Sequence, residues 1–195
     1  MLGALAVIIA VAVIACNSST QPSTNNEGLV TTTVDHDSLI QRGHYLVTIM
    51  GCHDCHSPKK MGPIGPQIDS SRALSGHPSN QPLAPINTKE TESWMLSNHT
   101  ATAFVGPWGI SYAANLTSDE SGIGAWTEAQ FFKAIRQGKY KGMDNSRPLL
   151  PPMPWNVYAN ATDDDLKAIF AYLKSTPPVN NVVPTPRSLQ EIAKL

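Results

Sequence analysis

The sequence predicts an all-α domain with long Pro/Gly-rich loops. Three observations lead there. Apolar residues recur at helical spacing in three segments, near the start, the middle and the end of the chain. Each segment opens on side chains that cap helices. Sixteen prolines and 13 glycines concentrate between Ser57 and Gly109 and again from Pro148 onward, and such punctuation favours loops over regular elements. At 195 residues the chain suffices for one domain with a sizeable tail. Fourteen Lys and Arg against 15 Asp and Glu leave no charge excess that would draw the chain to nucleic acid or to a strongly charged substrate.

From Leu2 to Ala15 no side chain is charged, and the run is shorter than the ~20 apolar residues that span a bilayer as a helix. It reads as the hydrophobic part of a signal peptide. Val13-Ile14-Ala15-Cys16 resembles a bacterial lipoprotein cleavage box, in which the cut falls before the cysteine and the cysteine takes lipid. Residues 1–16 are therefore expected to be a lipoprotein-type signal peptide with Cys16 as the lipidation site. An ordinary signal peptide with an incidental cysteine, or an uncleaved anchor, is the alternative. Each places the folded part on the extracytoplasmic, periplasmic side, attached to a membrane if the lipid or the anchor is retained. Residues 17–34, rich in Asn, Ser and Thr, cannot bury enough apolar surface to order themselves and are expected to be a flexible tether. The domain is expected to span 35–180, with 181–195 a C-terminal tail laid back over it.

Within the domain, Asp37 or Ser38 is the expected cap of a first helix carrying Leu39, Leu46, Ile49 and Met50, which runs directly into Cys52-His53-Asp54-Cys55-His56. Loops follow to Gly109, with one short helix expected around Glu90 to His99. Thr127-Glu128-Ala129-Gln130 matches a capping box ahead of Phe131, Phe132, Ala134 and Ile135, and Gly138 ends that helix. Thr162 caps the last one. Asp163, Asp164 and Asp165 fill its first turn, where they oppose the helix dipole, Leu166, Ile169, Phe170 and Leu173 form its apolar face, and Pro177-Pro178 stop it.

The chemistry lies in the Cys52 motif. Cys-x-x-Cys-His is the attachment signature of haem c: the two thiols form thioethers with the two vinyl groups of one porphyrin, and the next residue is then held beneath the iron. Cys52 and Cys55 are the expected attachment points of one covalent haem, and His56 the axial iron ligand. The rival readings of a bare Cys-x-x-Cys are weaker. A zinc site would want two more ligands at similar spacing, and no second cysteine pair exists. A redox dithiol would want an α/β context.

Met153, in Pro151-Pro152-Met153-Pro154-Trp155, is the expected second ligand, because prolines stiffen the loop that presents its thioether and a soft sulfur suits iron. Its bland reading is a gap-filling core residue. Met143 is the methionine rival, and His77 or His99 would instead give a bis-histidine site.

The helix, the Cys52 motif, the long loop, Met153 and the terminal helix together resemble a class I cytochrome c. Gly106-Pro107-Trp108-Gly109, Asn115-Leu116-Thr117, Gly122-Ile123-Gly124-Ala125-Trp126-Thr127, Arg136-Gln137-Gly138 and Leu150-Pro151-Pro152-Met153-Pro154-Trp155 sharpen the likeness. They are similar to bacterial cytochrome c proteins related to the cytochrome subunits of membrane-bound alcohol and gluconate dehydrogenases. The likeness extends from about Gln41 to Asn181. It implies a compact all-α fold in which the first and last helices cross against the haem. Gly43 is then the point of close approach, facing an aromatic such as Phe170 or Tyr172. His56 and Met153 lie further apart in sequence than in a minimal class I domain, so the Ser57 to Gly109 loops are expected to wrap the haem edge. The chain differs from those subunits in carrying one haem motif where they commonly carry several.

Lys133, Arg136, Lys139, Lys141 and Arg147 form a basic stretch that is either a docking patch for an acidic partner or a solvated helix face. Arg136, or a ring N–H or hydroxyl of Trp108, Tyr112 or Trp126, is a candidate for a haem propionate, with core filling as the alternative for the aromatics. With both axial positions filled, outer-sphere electron transfer is the expected work, between membrane or periplasmic redox proteins: a dehydrogenase, an oxidase or another cytochrome. The chain is then no enzyme in itself, though it fits a subunit of an oxidoreductase complex. The alternatives are a haem enzyme or gas sensor with an open sixth iron position, and a structural or assembly role in a respiratory complex.

Overall fold

The computed structural model describes residues 35–193. The leader, the tether and Cys16 lie outside the described residues. Helix α1 (His36–Ile49) is followed by the five-residue helix α2 (Cys52–His56). Strands β1 (Lys59–Gly62) and β2 (Gly65–Ile68) form one antiparallel hairpin, and β3 (Leu96–Ser97), β4 (Ala103–Gly106) and β5 (Gly109–Tyr112) form an antiparallel sheet in the order β3-β4-β5. Helices α3 (Glu128–Gln137), α4 (Trp155–Tyr158), α5 (Asp163–Ser175) and α6 (Leu189–Ile192) complete the chain. Among the described residues no helix is long and apolar enough to cross a membrane.

The all-α expectation is therefore overturned: the domain is mixed, with two small antiparallel sheets in the stretch read as loop. The reason is local. Phe104-Val105 and Ile110-Ser111-Tyr112 are aromatic and β-branched runs too short to show a period, and Gly106-Pro107-Trp108-Gly109 between them is a hairpin turn rather than a breaker. Gly106 pairs with Gly109, whose φ of +98° suits glycine, and all four residues of β4 are buried. The short helix expected at Glu90 to His99 is a 3-10 turn at Thr88–Glu92 followed by β3.

The core is built where α1 crosses α5, the largest helix–helix contact of the domain. A Cβ on Gly43 would run into the Ala168 carbonyl and lie 2.6 Å from Tyr172 Cβ, so glycine is what lets the two backbones meet. Val47, Leu74, Ile123, Phe131, Leu166, Ile169 and Leu173 fill the space around the crossing, and the Phe131 and Phe170 rings stack at 5.2 Å. On α1 the buried positions are Gly43 and Val47, whereas Ile49, expected on the apolar face, is 58% exposed. The helix begins at His36, ahead of the expected caps.

The later helices start as their sequences indicate. Thr127 and Gln130 form a reciprocal capping box on α3, Gly138 takes the left-handed conformation that ends it, and Thr162 accepts from the Asp165 amide at the start of α5. A second, smaller core lies under the β3-β4-β5 sheet. Val105, Ile110 and Ile192 are its centre, and Arg187 bridges to Ile110, so the last described residues close over β5.

Candidate functional site

Cys52, Cys55 and His56 lie on one helical turn and a fraction, immediately after α1. Gly51 makes the corner between α1 and α2 at φ +68°, and Tyr158, at the end of α4, donates its hydroxyl to the Met50 carbonyl at 2.6 Å from the other side. Both thiols are free and partly exposed. Burial pushes the Cys52 thiol up to about 11 and Cys55 up in the same direction, so neither is a ready thiolate of the kind a redox dithiol needs.

His56 is fixed by a partner far along the chain. Its Nδ1 lies 2.8 Å from the Ala114 carbonyl oxygen, which can only accept, so Nδ1 carries the proton and Nε2 is left with its lone pair. Burial lowers the pKa of the ring, keeping it neutral and able to bind a metal. The floor beneath is held by Ser57, wholly buried, whose Oγ accepts from the Leu74 amide at 2.9 Å and meets His53 Nδ1 at 2.9 Å. Lys59, its pKa lowered by burial, donates to the Ser57 carbonyl at 3.1 Å.

This donor set fits a porphyrin iron. Two unpaired thiols stand on one short helix beside an imidazole with a single free nitrogen. Among the described residues no group of three or more His, Cys, Asp and Glu is assembled to hold a metal ion without a porphyrin.

Met153 sits half-buried in the segment between α3 and α4. Leu149 donates to the Gly138 carbonyl at 2.7 Å, and the Pro151 carbonyl accepts from Ser111 Oγ at 2.5 Å, which itself accepts from the Trp108 ring N–H at 3.2 Å. The β4-β5 hairpin thus props the Met153 loop. Trp155, next along, lies against Gly138, whose added Cβ would come within 2.5 Å of the indole. The loop then turns through α4 back to the Cys52 helix, where burial raises the Tyr158 phenol pKa.

The rival ligands go elsewhere. His77 is fully buried, with Nε2 donating to the Gln81 carbonyl at 3.3 Å and Nδ1 accepting from Thr102 Oγ1 at 2.9 Å, so neither nitrogen is left for iron. His99 is exposed, as is Met143. The basic stretch is largely occupied in structure. Lys133 pairs with Asp144 at 2.7 Å, Arg136 binds Asp163 at 2.6 Å and the Ala159 carbonyl, and the Arg147 guanidinium lies 4.0 Å over the Tyr140 ring. Arg136 is therefore engaged at the α4–α5 turn rather than free for a propionate. The Trp108 N–H is given to Ser111, Tyr112 packs against His77 at 4.9 Å, and Trp126 packs on the main core.

Sequence reasoning misses the residues that hold His56 and the Met153 loop: Ala114, Ser111 and Tyr158. None of the three lies in a stretch with a signal of its own.

No family model matches the chain. Its curated relatives include a nicotinate dehydrogenase subunit of Pseudomonas putida, 37% identical over 95 residues, which are 48% of this chain and 8% of that protein. The gluconate 2-dehydrogenase cytochrome c subunit of Pantoea cypripedii is 30% identical over 138 residues, 70% of this chain and 23% of that protein. The fructose dehydrogenase cytochrome subunit of Gluconobacter japonicus is 29% identical over 139 residues, 71% of this chain and 21% of that protein. The chain thus spans less than a quarter of the length of each of these relatives. Over most of its own length it is similar to the cytochrome c subunits of bacterial dehydrogenases, electron-transfer components rather than catalytic subunits.

Proposed function

We propose that this chain is an extracytoplasmic c-type cytochrome, holding one haem through thioethers to Cys52 and Cys55, with His56 and Met153 as axial ligands. It moves single electrons to or from a dehydrogenase or another membrane or periplasmic redox protein, and lipid at Cys16 ties it to the membrane. The observation that carries the reading is the His56 bond to Ala114: an imidazole whose Nδ1 proton is engaged by a carbonyl, on the same short helix as two free thiols, is prepared to bind iron through Nε2. When bound, the haem supplies a one-electron ferric/ferrous couple. The chain's own residues do the rest. Ser57 and Leu74 fix the turn that carries His56, Ser111 holds the loop that carries Met153, and Tyr158 joins that loop to the attachment helix. The likeness to cytochrome subunits of gluconate and fructose dehydrogenases supports a dehydrogenase as partner.

The test is a redox titration of the full chain matured in a haem-attaching bacterium, followed by visible spectroscopy with carbon monoxide. A reversible one-electron couple, a ferric long-wavelength sulfur-to-iron band and no rapid CO binding to the reduced form are expected. Rapid CO binding by the unaltered protein would point instead to an open sixth position, and so to a haem enzyme or gas sensor.

A further inference from the structure

We propose that Asn115, gripped by the segment 179–181 that follows α5, is a positioning residue. It sets the hydrogen bond from His56 to the Ala114 carbonyl, and through it how strongly a bound haem iron holds its electron. The inference rests on the haem reading above and names the device that tunes the site.

The Ala114 carbonyl is confined by Gly76, and the residue after it is anchored by its side chain. Gly76 stands at φ +77°, where an added Cβ would lie 2.5 Å from the Ala113 oxygen and 2.7 Å from the Ala114 oxygen. The Gly76 amide donates to the His56 carbonyl at 2.8 Å, so the backbones of 56, 76 and 114 form one packed unit. Next along the chain, bonded to that carbonyl through the peptide link, is Asn115, 4% exposed. Its Oδ1 accepts from the Thr117 amide at 2.9 Å and from Thr117 Oγ1 at 2.8 Å, and its Nδ2 donates to Ser121 Oγ at 3.1 Å and to the Val179 carbonyl at 2.8 Å.

The strap that receives this donation also holds the opposite wall. Asn181 Nδ2 donates to the Ser75 and His77 carbonyls at 2.7 and 2.9 Å, its Oδ1 accepts from the Ser79 amide, and its own amide donates to Ser121 Oγ at 2.9 Å. Residues 179–181 therefore tie 75–77 to 115–121, the two segments that flank the Ala114 oxygen. A turn at 115–117 alone needs only the Oδ1 bonds, and an exposed serine or aspartate would serve for it. The buried amide has a further use, the link from Ala114 to the strap.

The consequence is electronic. A firm bond from Nδ1–H to a carbonyl gives the imidazole more anionic character, which stabilises ferric over ferrous iron, and such outer partners tune metals strongly. Loosening the strap should lengthen that bond and favour the ferrous state.

The full chain, matured with haem, is compared with Asn115→Ala, Asn181→Ala and, as a control, Val182→Ala, whose side chain is 71% exposed just beyond the strap. Intact mass reports haem retention, spectroelectrochemical titration gives the potential, and proton NMR follows the His56 Nδ1–H signal. Both asparagine variants are expected to shift the ferrous-to-ferric ratio at fixed potential toward ferrous by about threefold, or about 28 mV for one electron at 59 mV per tenfold. The Nδ1–H signal should move with it, and Val182→Ala should match the unaltered chain. Should Asn115→Ala fail to accumulate, Asn181→Ala decides alone, since it leaves the 115–117 turn in place. Haem-loaded asparagine variants with an unchanged potential and Nδ1–H signal would overturn the inference, whereas absence of haem from the unaltered chain would overturn the function it rests on.

Discussion

His56 and Met153, the two proposed iron ligands, are held by different means. Around His56 the support is long-range and buried: the attachment helix, Gly76, the Ala114 carbonyl and the 179–181 strap meet from four parts of the sequence, and nearly every polar atom among them is partnered. Around Met153 the support is sparser and partly exposed: a proline-stiffened loop between α3 and α4, propped by Ser111 of β5 and followed by α4, whose Tyr158 reaches the Met50 carbonyl. The contrast teaches where stability and where ligation are decided. Damage on the imidazole side should cost the fold, and damage on the thioether side should change the iron's surroundings while leaving the fold standing.

The largest effect is expected from Gly76→Val. A side chain at φ +77°, driven against the 113 and 114 backbone, combines backbone strain with overpacking, and a loss of about 3 kcal/mol or more is expected in denaturant unfolding. A loss of only a few tenths would show that the imidazole side yields easily, and the contrast would fail. Met153→Ala is the complementary case. It is expected to abolish the sulfur-to-iron band and admit CO, with a far smaller fall in unfolding midpoint than Gly76→Val. Smaller still is Ser111→Ala, which removes the prop to the Pro151 carbonyl and should cost about 1 kcal/mol, read by the same unfolding experiment.

A pH series sharpens the account of the buried polar wall behind Gly76. His77 has its pKa lowered by burial and stays neutral in the fold, while in the unfolded chain it protonates below its ordinary value near 6.5. The unfolded state then binds more protons, so stability is fully present above that pH and falls as pH drops below it. His77→Asn should flatten the slope of unfolding free energy between about pH 6.5 and 5, and an unchanged slope would remove His77 from that role.

Which parts of this arrangement are legible in the sequence follows from how local their causes are. The α3 capping box and the Thr162 cap of α5 are written within four residues and appear where the sequence puts them. The Cys52 motif is equally local. The Gly43 contact with α5 is expected only through a family resemblance, because a glycine in a helix says nothing by itself about what approaches it. The sheets escape sequence reading because strands of two to four residues carry no period, and their glycines and prolines read as loop. The partner of His56 is illegible for a deeper reason: it is a backbone carbonyl, identical in every residue, and only the folded chain selects Ala114. Arg136 misleads in the opposite sense, its charge suggesting a propionate while the fold gives it to Asp163.

The proposed function requires that two sulfurs of α2 carry a porphyrin. Intact mass spectrometry of the chain produced in a bacterium that attaches haem c tests it most directly. The predicted result is polypeptide plus the mass of one haem, reduced to bare polypeptide when Cys52 and Cys55 are both changed to alanine. Unmodified polypeptide from the unaltered sequence, or haem mass surviving the double change, would contradict it.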